Sequence, residues 1–280
     1  ADMYEKLYKK AKKFDADIAK CEFYTYNSTV IGRARNRRFI AGGGSIDLDK
    51  APDDAFTIVD WPELLGLHAS IWSCIYKSEF VKKIKVIDTE AASYQDFPFM
   101  VETMCKARSI VVVKEPMLHW RNDPNQGNST SQKGPKLLYM AENSVNAYQK
   151  LIKSGMYDKL KEPFVAQLVW ANYNCFFAIK KQYKAEYYNR LVDLFKFLDD
   201  DPHFEYKFFD RDPFYDDSWF LAQIKLDNWQ KARRNLLKRK MQRGYRYIKR
   251  RLFSNVRERE QIEANQQKIL SMLDGEQKSK

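Results

Sequence analysis

The chain has 280 residues, enough for one large domain or two modest ones whose core needs neither disulfides nor metal to fold. Apolar residues make up 44%, charged residues 31% and aromatic residues 15% of it, which excludes wholesale disorder, and ten Gly with nine Pro exclude collagen-like and low-complexity chains. No apolar run approaches the roughly 18 residues that span a bilayer: Ile110–Val113 is short, and Phe164–Ala171 is interrupted by Gln167.

No secretory signal is visible at the start, and the chain reads as cytoplasmic. Cys21, Cys74, Cys105 and Cys175 stand singly, without a C-x-x-C pair, so the sequence predicts core thiols in a reducing compartment rather than a disulfide framework or a zinc site. The net charge of +12 is concentrated: Lys231–Arg251 holds eleven Lys/Arg in twenty-one residues and no acid.

In chain order, Met3, Leu7, Ala11 and Phe14 recur at helical spacing among lysines, predicting an amphipathic helix. Ile18–Tyr26 follows as a strand. The stretch from Asn27 to Pro52 reads as a hairpin or irregular insertion. Its Gly42-Gly43-Gly44 run is a turn, lacking the Lys-Ser/Thr that a phosphate loop requires. Trp61–Leu65 predicts a short helix, and Ile71–Tyr76 a strand or turn leading into another helix. Asp96 precedes Phe97-Pro98 and reads as the N-cap of a helix that ends near Lys106–Arg108. Ile110–Val113 has the β-branched run of a strand buried on both faces, and Asn122–Gly134 is a polar loop.

From Leu137 onward the pattern is helical, with segments Tyr139–Ile152, Phe164–Tyr183, Tyr187–Leu198 and Trp219–Ser254. The fold class is therefore α/β followed by all-α. The expected divisions are an α/β part over 1–135, a helical domain over 136–228, and a basic amphipathic helix with its tail over 229–280. In that helix Leu237, Met241, Tyr245, Ile248 and Leu252 form one stripe, with Arg233, Arg234, Lys238, Arg239, Arg246 and Arg250 among the cations around it. Such a helix suits an anionic membrane surface, a nucleic acid, or a stripe packed on the domain or on a second copy.

Among side chains able to carry chemistry, Asp96 leads. A carboxylate at a helix N-terminus is favoured by the dipole, and on the rim of an α/β sheet it can take a proton from a hydroxyl. A plain cap is the competing reading, worth about 1 kcal/mol of stability. His119, beside Trp120 and Arg121, could ligate a metal while the guanidinium grips a phosphate. His68, near Trp72, is a weaker candidate. Signatures of metalloproteases, serine hydrolases and nucleoside triphosphatases are absent.

Four segments in one order carry a resemblance. Met3–Tyr8 runs into Asp15–Cys21; His68-Ala69-Ser70-Ile71-Trp72-Ser73-Cys74-Ile75-Tyr76-Lys77 comes next; Ser93-Tyr94-Gln95-Asp96-Phe97 follows; and Glu115-Pro116-Met117-Leu118-His119-Trp120-Arg121 leads to Asn128-Ser129-Thr130-Ser131. Together they resemble the second half of a bacterial family 2 glycosyltransferase, an inverting enzyme of the GT-A fold. The resemblance implies a partial GT-A-type sheet over residues 1–135 and a nucleotide-sugar donor with a saccharide or lipid-linked acceptor. It makes Asp96 the base, with Gln95 where many members have Glu. Trp72 would stack on the acceptor sugar, Arg121 and Ser129 would bind the nucleotide diphosphate, and His119 would complete a Mg²⁺ or Mn²⁺ site. The family's nucleotide-binding half and its metal-binding Asp motif are expected upstream of residue 1, since Asp15, Asp17, Asp47 and Asp49 are misplaced for that role. The placement expected is peripheral, on the inner face of a membrane, with a homo-oligomer open and nucleic acid disfavoured as a partner.

Overall fold

The computed structural model describes residues 2–26, 33–35, 38–39, 45–46, 48–85, 93–121, 133–199 and 217–242. They form an α/β part followed by helices: α1 (Met3–Phe14), β1 (Ile18–Tyr26), β2 (Arg33–Arg35), β3 (Arg38–Phe39), β4 (Ser45–Ile46), β5 (Cys74–Tyr76), α2 (Ser78–Ile84), α3 (Asp96–Lys106), β6 (Ile110–Arg121), α4 (Tyr139–Lys153), α5 (Tyr157–Ala178), α6 (Lys184–Phe195) and α7 (Asp217–Ile224). Residues 229–242 are also helical. The chain divides into two compact units, 1–227 and 228–280.

Helix α1 forms where the spacing predicts it. Met3 and Leu7 lie on its inner face and are buried with Ala16, Ala19, Cys21, Val111 and Val113, while Ala11 and Phe14 pack partly against them. The helix stops at Asp15, which turns left-handed at φ 47° and gives its N–H to the Ala11 and Lys12 carbonyls, a conformation that Asp tolerates better than most residues. Two residues on, the buried Asp17 carboxylate accepts the backbone N–H of Arg108 at 2.8 Å. That bond fixes the entry of β1 beside the entry of β6.

Strand β1 is the centre of the sheet. Along one edge it runs parallel to β6, and along the other it pairs antiparallel with β5 at Ile18–Lys20 and with β2 at Tyr24–Tyr26. The buried run predicted at Ile110–Val113 is the first third of β6, which continues to Arg121. The ladder shifts register on either side of Glu22, opposite Pro116, as befits a residue that cannot donate to a ladder and therefore sits at a bulge. Within the predicted insertion, β3 and β4 form their own antiparallel pair, and the glycine run 42–44 lies outside the described residues.

The helical part is built on α3. Glu102 bridges to Lys106 at 2.6 Å and to Lys150 of α4, Asn143 of α4 donates to the Ser93 carbonyl at 2.6 Å, and Phe97 stacks on Phe164 of α5 with centroids 5.8 Å apart. Helix α5 is buried along most of its length, as a helix apolar all round should be. It begins earlier than expected, at Tyr157, because Pro163 is accommodated inside it despite lacking the N–H for one helical bond. It also ends earlier, so that Lys181–Tyr183 forms a separate 3-10 turn before α6. All four cysteines are free and buried, as predicted.

One polar tie joins α4, α5 and α6. Asn172 donates to Ser144 Oγ at 2.8 Å and accepts from the buried Tyr187 hydroxyl at 2.9 Å. Tyr187→Phe leaves the Asn172 carbonyl without that donor in a dry interior and is expected to cost about 1–3 kcal/mol. A lower denaturation midpoint at unchanged m-value would show it.

The single helix predicted over Trp219–Ser254 is instead interrupted. Helix α7 ends at Ile224, Asp227 turns left-handed at φ 44°, and Asn228 caps the next helix by accepting the Lys231 N–H at 2.9 Å. The Asp227-Asn228 pair overrides the continuing apolar spacing because both side chains favour turns and caps. The part of the segment beyond 242 lies outside the described residues, as does most of the predicted loop Asn122–Gly134.

Candidate functional site

Asp96 is the first residue of α3, not its cap. Gln95 occupies the cap position in a helical conformation and makes no capping bond, because the chain has already turned at Tyr94, a bulky residue held at φ 65°. The carboxylate faces the backbone N–H of Ile71 as well as its own N–H. Burial pushes its proton affinity above the ordinary carboxylate range, while these N–H groups and the charge of Lys20 pull the other way. The Tyr76 hydroxyl on β5, raised by burial, feels the Asp96 charge.

Ile71 belongs to the 3-10 turn Ile71–Ser73, which is joined directly to β5. Lys20, fully buried on β1, anchors this turn: its ammonium donates to Ser70 Oγ at 3.0 Å and to Ser73 Oγ at 2.6 Å. From α3, the Met100 sulfur accepts the Ser70 N–H at 3.0 Å. The turn therefore presents the Ile71 N–H to the Asp96 carboxylate and carries the next side chain, Trp72, outward, where it remains 38% exposed.

Trp72 stands in an aromatic group. Its ring lies 4.7 Å from Phe23 and 6.4 Å from Trp120, with the latter pair nearly parallel, and His68 is 5.1 Å from Trp120. A half-exposed indole backed by a second indole is a surface on which the apolar face of a sugar ring can lie, since aromatic rings offer large area at little entropic cost.

The other expected site residues are distributed differently. Gln95 is half-buried at the start of α3. His119 and Trp120 leave the strand on opposite faces, and His119 is exposed and stacked on Tyr24 at 5.4 Å, away from the indole group. Arg121 is exposed at the end of β6, and Ser129 lies outside the described residues. Among the described residues no three His, Cys, Asp or Glu side chains come together as a metal site would require. His119 is the one described residue that the resemblance assigns to a metal, whose carboxylate ligands are expected upstream of residue 1.

Sequence reasoning missed Lys20, Phe23, Tyr76 and Trp120 as parts of the site. The signal for Lys20 was a lysine among the apolar residues Ile18, Ala19 and Cys21 at the start of the strand. For Trp120 it was the shared chemistry with Trp72, which only the β1–β6 pairing brings into contact.

In the second unit, Leu237 is 54% and Met241 75% exposed, and the cations Arg233, Arg234 and Lys238 are exposed around them, together with Lys231 and Lys240. Ala232 is buried, and Trp229, Asn235, Leu236 and Arg239 are half-buried. Arg239 thus falls on the covered side, seven residues and two turns from Ala232. Arg246 and Arg250 lie outside the described residues. No helix among those described is long and apolar enough to cross a membrane.

No family model and no curated protein matches the sequence. Among solved structures, the crystal structure of S. aureus TarS 1-349 in complex with UDP-GlcNAc is similar at TM-score 0.47 and 13% identity, over 70% of this chain and 53% of that one. The complex of TarS 1-349 with UDP is similar at TM-score 0.44 and 12% identity, over 68% of this chain and 50% of that one. The chain thus spans about half the length of these TarS structures.

Proposed function

We propose that the chain is the acceptor-side part of an inverting glycosyltransferase, moving a sugar from a nucleotide-sugar donor to a saccharide or lipid-linked acceptor. The observation that carries this reading is the half-buried Asp96 carboxylate facing the N–H of Ile71, the residue that precedes the exposed Trp72. In that arrangement an acceptor sugar on Trp72 offers a hydroxyl to Asp96. As the hydroxyl oxygen bonds to the anomeric carbon, its proton passes to the carboxylate and the bond from that carbon to the diphosphate breaks, inverting the centre. A carboxyl whose proton affinity is raised is a stronger base than an ordinary aspartate.

The test is titration calorimetry of the chain, and of a version extended upstream, with UDP and UDP-GlcNAc. Binding by the extended form is expected, and binding by neither form would sink the proposal. Trp72→Ala is expected to raise KM for the acceptor by about tenfold, from the loss of about 1–1.5 kcal/mol of ring contact, with kcat changed less. A fall in kcat alone would contradict the stacking role.

The exposed Leu237–Met241 ridge, flanked on both sides by cations, supports a second element of the reading: peripheral attachment to an anionic membrane, with Leu237 and Met241 entering the interface. Each basic residue near such a surface contributes about 1 kcal/mol, so the combined variant Arg233→Ala, Arg234→Ala, Lys238→Ala is expected to lose about a hundredfold in affinity for phosphatidylglycerol-containing vesicles. Equal binding to neutral vesicles, or tighter binding to duplex DNA, would contradict attachment.

A further inference from the structure

Among the described residues, Asp15, Lys85, Tyr94 and Asp227 are the non-glycine residues at positive φ. Three of them end helices: Asp15 and Lys85 close α1 and α2, and Asp227 follows α7, the ordinary place for a left-handed residue. Tyr94 instead precedes a helix, two residues before Asp96, at φ 65°. A bulky side chain is strained in this region, and such a conformation persists only where its surroundings impose it, most often at functional sites. Helix capping does not account for a left-handed tyrosine here.

The surroundings that impose it come from the helical part. Ser93, just before the turn, is buried, and its carbonyl accepts the Nδ2 of Asn143 of α4 at 2.6 Å. Asn143 is itself fully buried, and Asn146 Nδ2 donates to its Oδ1 at 3.3 Å, which turns the donor end of the Asn143 amide toward Ser93. After the turn, the Tyr94 carbonyl accepts the Phe97 N–H at 3.3 Å, and Phe97 is stacked on Phe164 of α5. The Tyr94 hydroxyl faces the buried Cys175 thiol of the same helix. The turn is thus gripped before, within and after by α4 and α5, and Asp96 is carried on it with one residue, Gln95, between.

We propose that Asn143 is a positioning residue of the site: its hold on the Ser93 carbonyl keeps Tyr94 left-handed and so aims Asp96, the first residue of α3, at the turn that carries Ile71 and Trp72. The helical part is then a working part of the site and not only its support. The inference rests on Asp96 being the base, but its effect can be read without any substrate. Held in place, the Asp96 carboxyl is raised by burial; released into solvent, it titrates as an ordinary aspartate.

The experiment is a ¹³C carboxyl NMR titration of the folded chain, with the Asp96 resonance identified by its loss in Asp96→Asn. In Asn143→Ala the Asp96 midpoint is expected to fall toward the ordinary aspartate value of about 3.9. Adding Tyr94→Gly is expected to restore it, because glycine takes the left-handed conformation unforced. In the upstream-extended chain, Asn143→Ala is expected to lower kcat by about tenfold to a hundredfold, as a misplaced group does, with KM for donor and acceptor changed much less. A second pair tests the turn without touching α4. Tyr94→Ala and Tyr94→Gly both remove the ring and differ in the Cβ alone, and the glycine variant is expected to keep an Asp96 midpoint nearer the wild type. An unmoved midpoint in folded Asn143→Ala, a fallen one that Tyr94→Gly does not restore, or equal midpoints in the Tyr94 pair would each overturn the proposal. Should Asn143→Ala fail to fold, the Tyr94 pair decides. Transfer that survives Asp96→Asn is a separate result, which sinks the transferase reading and leaves the titration outcomes standing.

Discussion

Asp96→Asn is expected to lower sugar transfer by about 10²–10⁴-fold, the range that a positioned general base contributes, without unfolding the protein. The amide keeps the size of the side chain and can still accept the Ile71 N–H, so the local geometry survives while the proton acceptor is gone. Stability should move in the opposite direction. Burial raises the Asp96 carboxyl above its ordinary value, so between the unfolded and folded values the native state binds more protons. The contribution of Asp96 to stability is then full at low pH and lost as pH rises through the folded value. At neutral pH the asparagine variant, which carries no charge to desolvate, is expected to be at least as stable as the wild type. The acidic limb of the kcat/KM profile should lie above the value of an exposed aspartate for the same reason. A variant that is both inactive and unfolded would make Asp96 a structural residue instead.

Phe164→Ala is expected to cost about 3–5 kcal/mol, the usual loss for truncating a fully enclosed aromatic side chain. Phe164 is completely buried, stacks on Phe97 at 5.8 Å and lies 6.4 Å from the Tyr148 ring. It is the point at which α5 holds α3, and Phe97 follows Asp96 directly. The cavity would therefore loosen the helix that carries the carboxylate. Chemical denaturation at unchanged m-value would read the cost. Hydrogen exchange should show α3 amides losing protection before those of β1, which is secured through its ladders on both edges. Equal loss of protection in both would mean that Phe164 supports the whole unit rather than α3.

Much of this architecture was legible in the residues. The spacing of Met3, Leu7, Ala11 and Phe14 specifies α1, and the β-branched run at Ile110–Val113 specifies the buried start of β6, because helical and strand periods are local properties of the chain. Singly placed cysteines indicated core thiols for a similar reason. What the sequence concealed was set by tertiary pairing. The extension of β6 through Pro116 depends on a bulge opposite Glu22, and the joining of Trp120 to Trp72 depends on β1 lying between their elements. Asp96 was visible as a candidate, but its place inside the helix was not, because Tyr94 makes the turn that the cap was expected to make. The place of His119, stacked on Tyr24 on the face of β6 opposite Trp120, was likewise set by the β1–β6 pairing.

The most direct test of Asp96 as the base of an inverting transfer is the anomeric configuration of the product, read by proton NMR before it can equilibrate. The upstream-extended chain would be supplied with UDP-GlcNAc, whose sugar is α-linked, and in parallel with other nucleotide sugars and a saccharide acceptor. The expected result is a β-configured product from the wild type and none above background from Asp96→Asn. An α-configured product, or transfer at the wild-type rate by Asp96→Asn, would contradict the account.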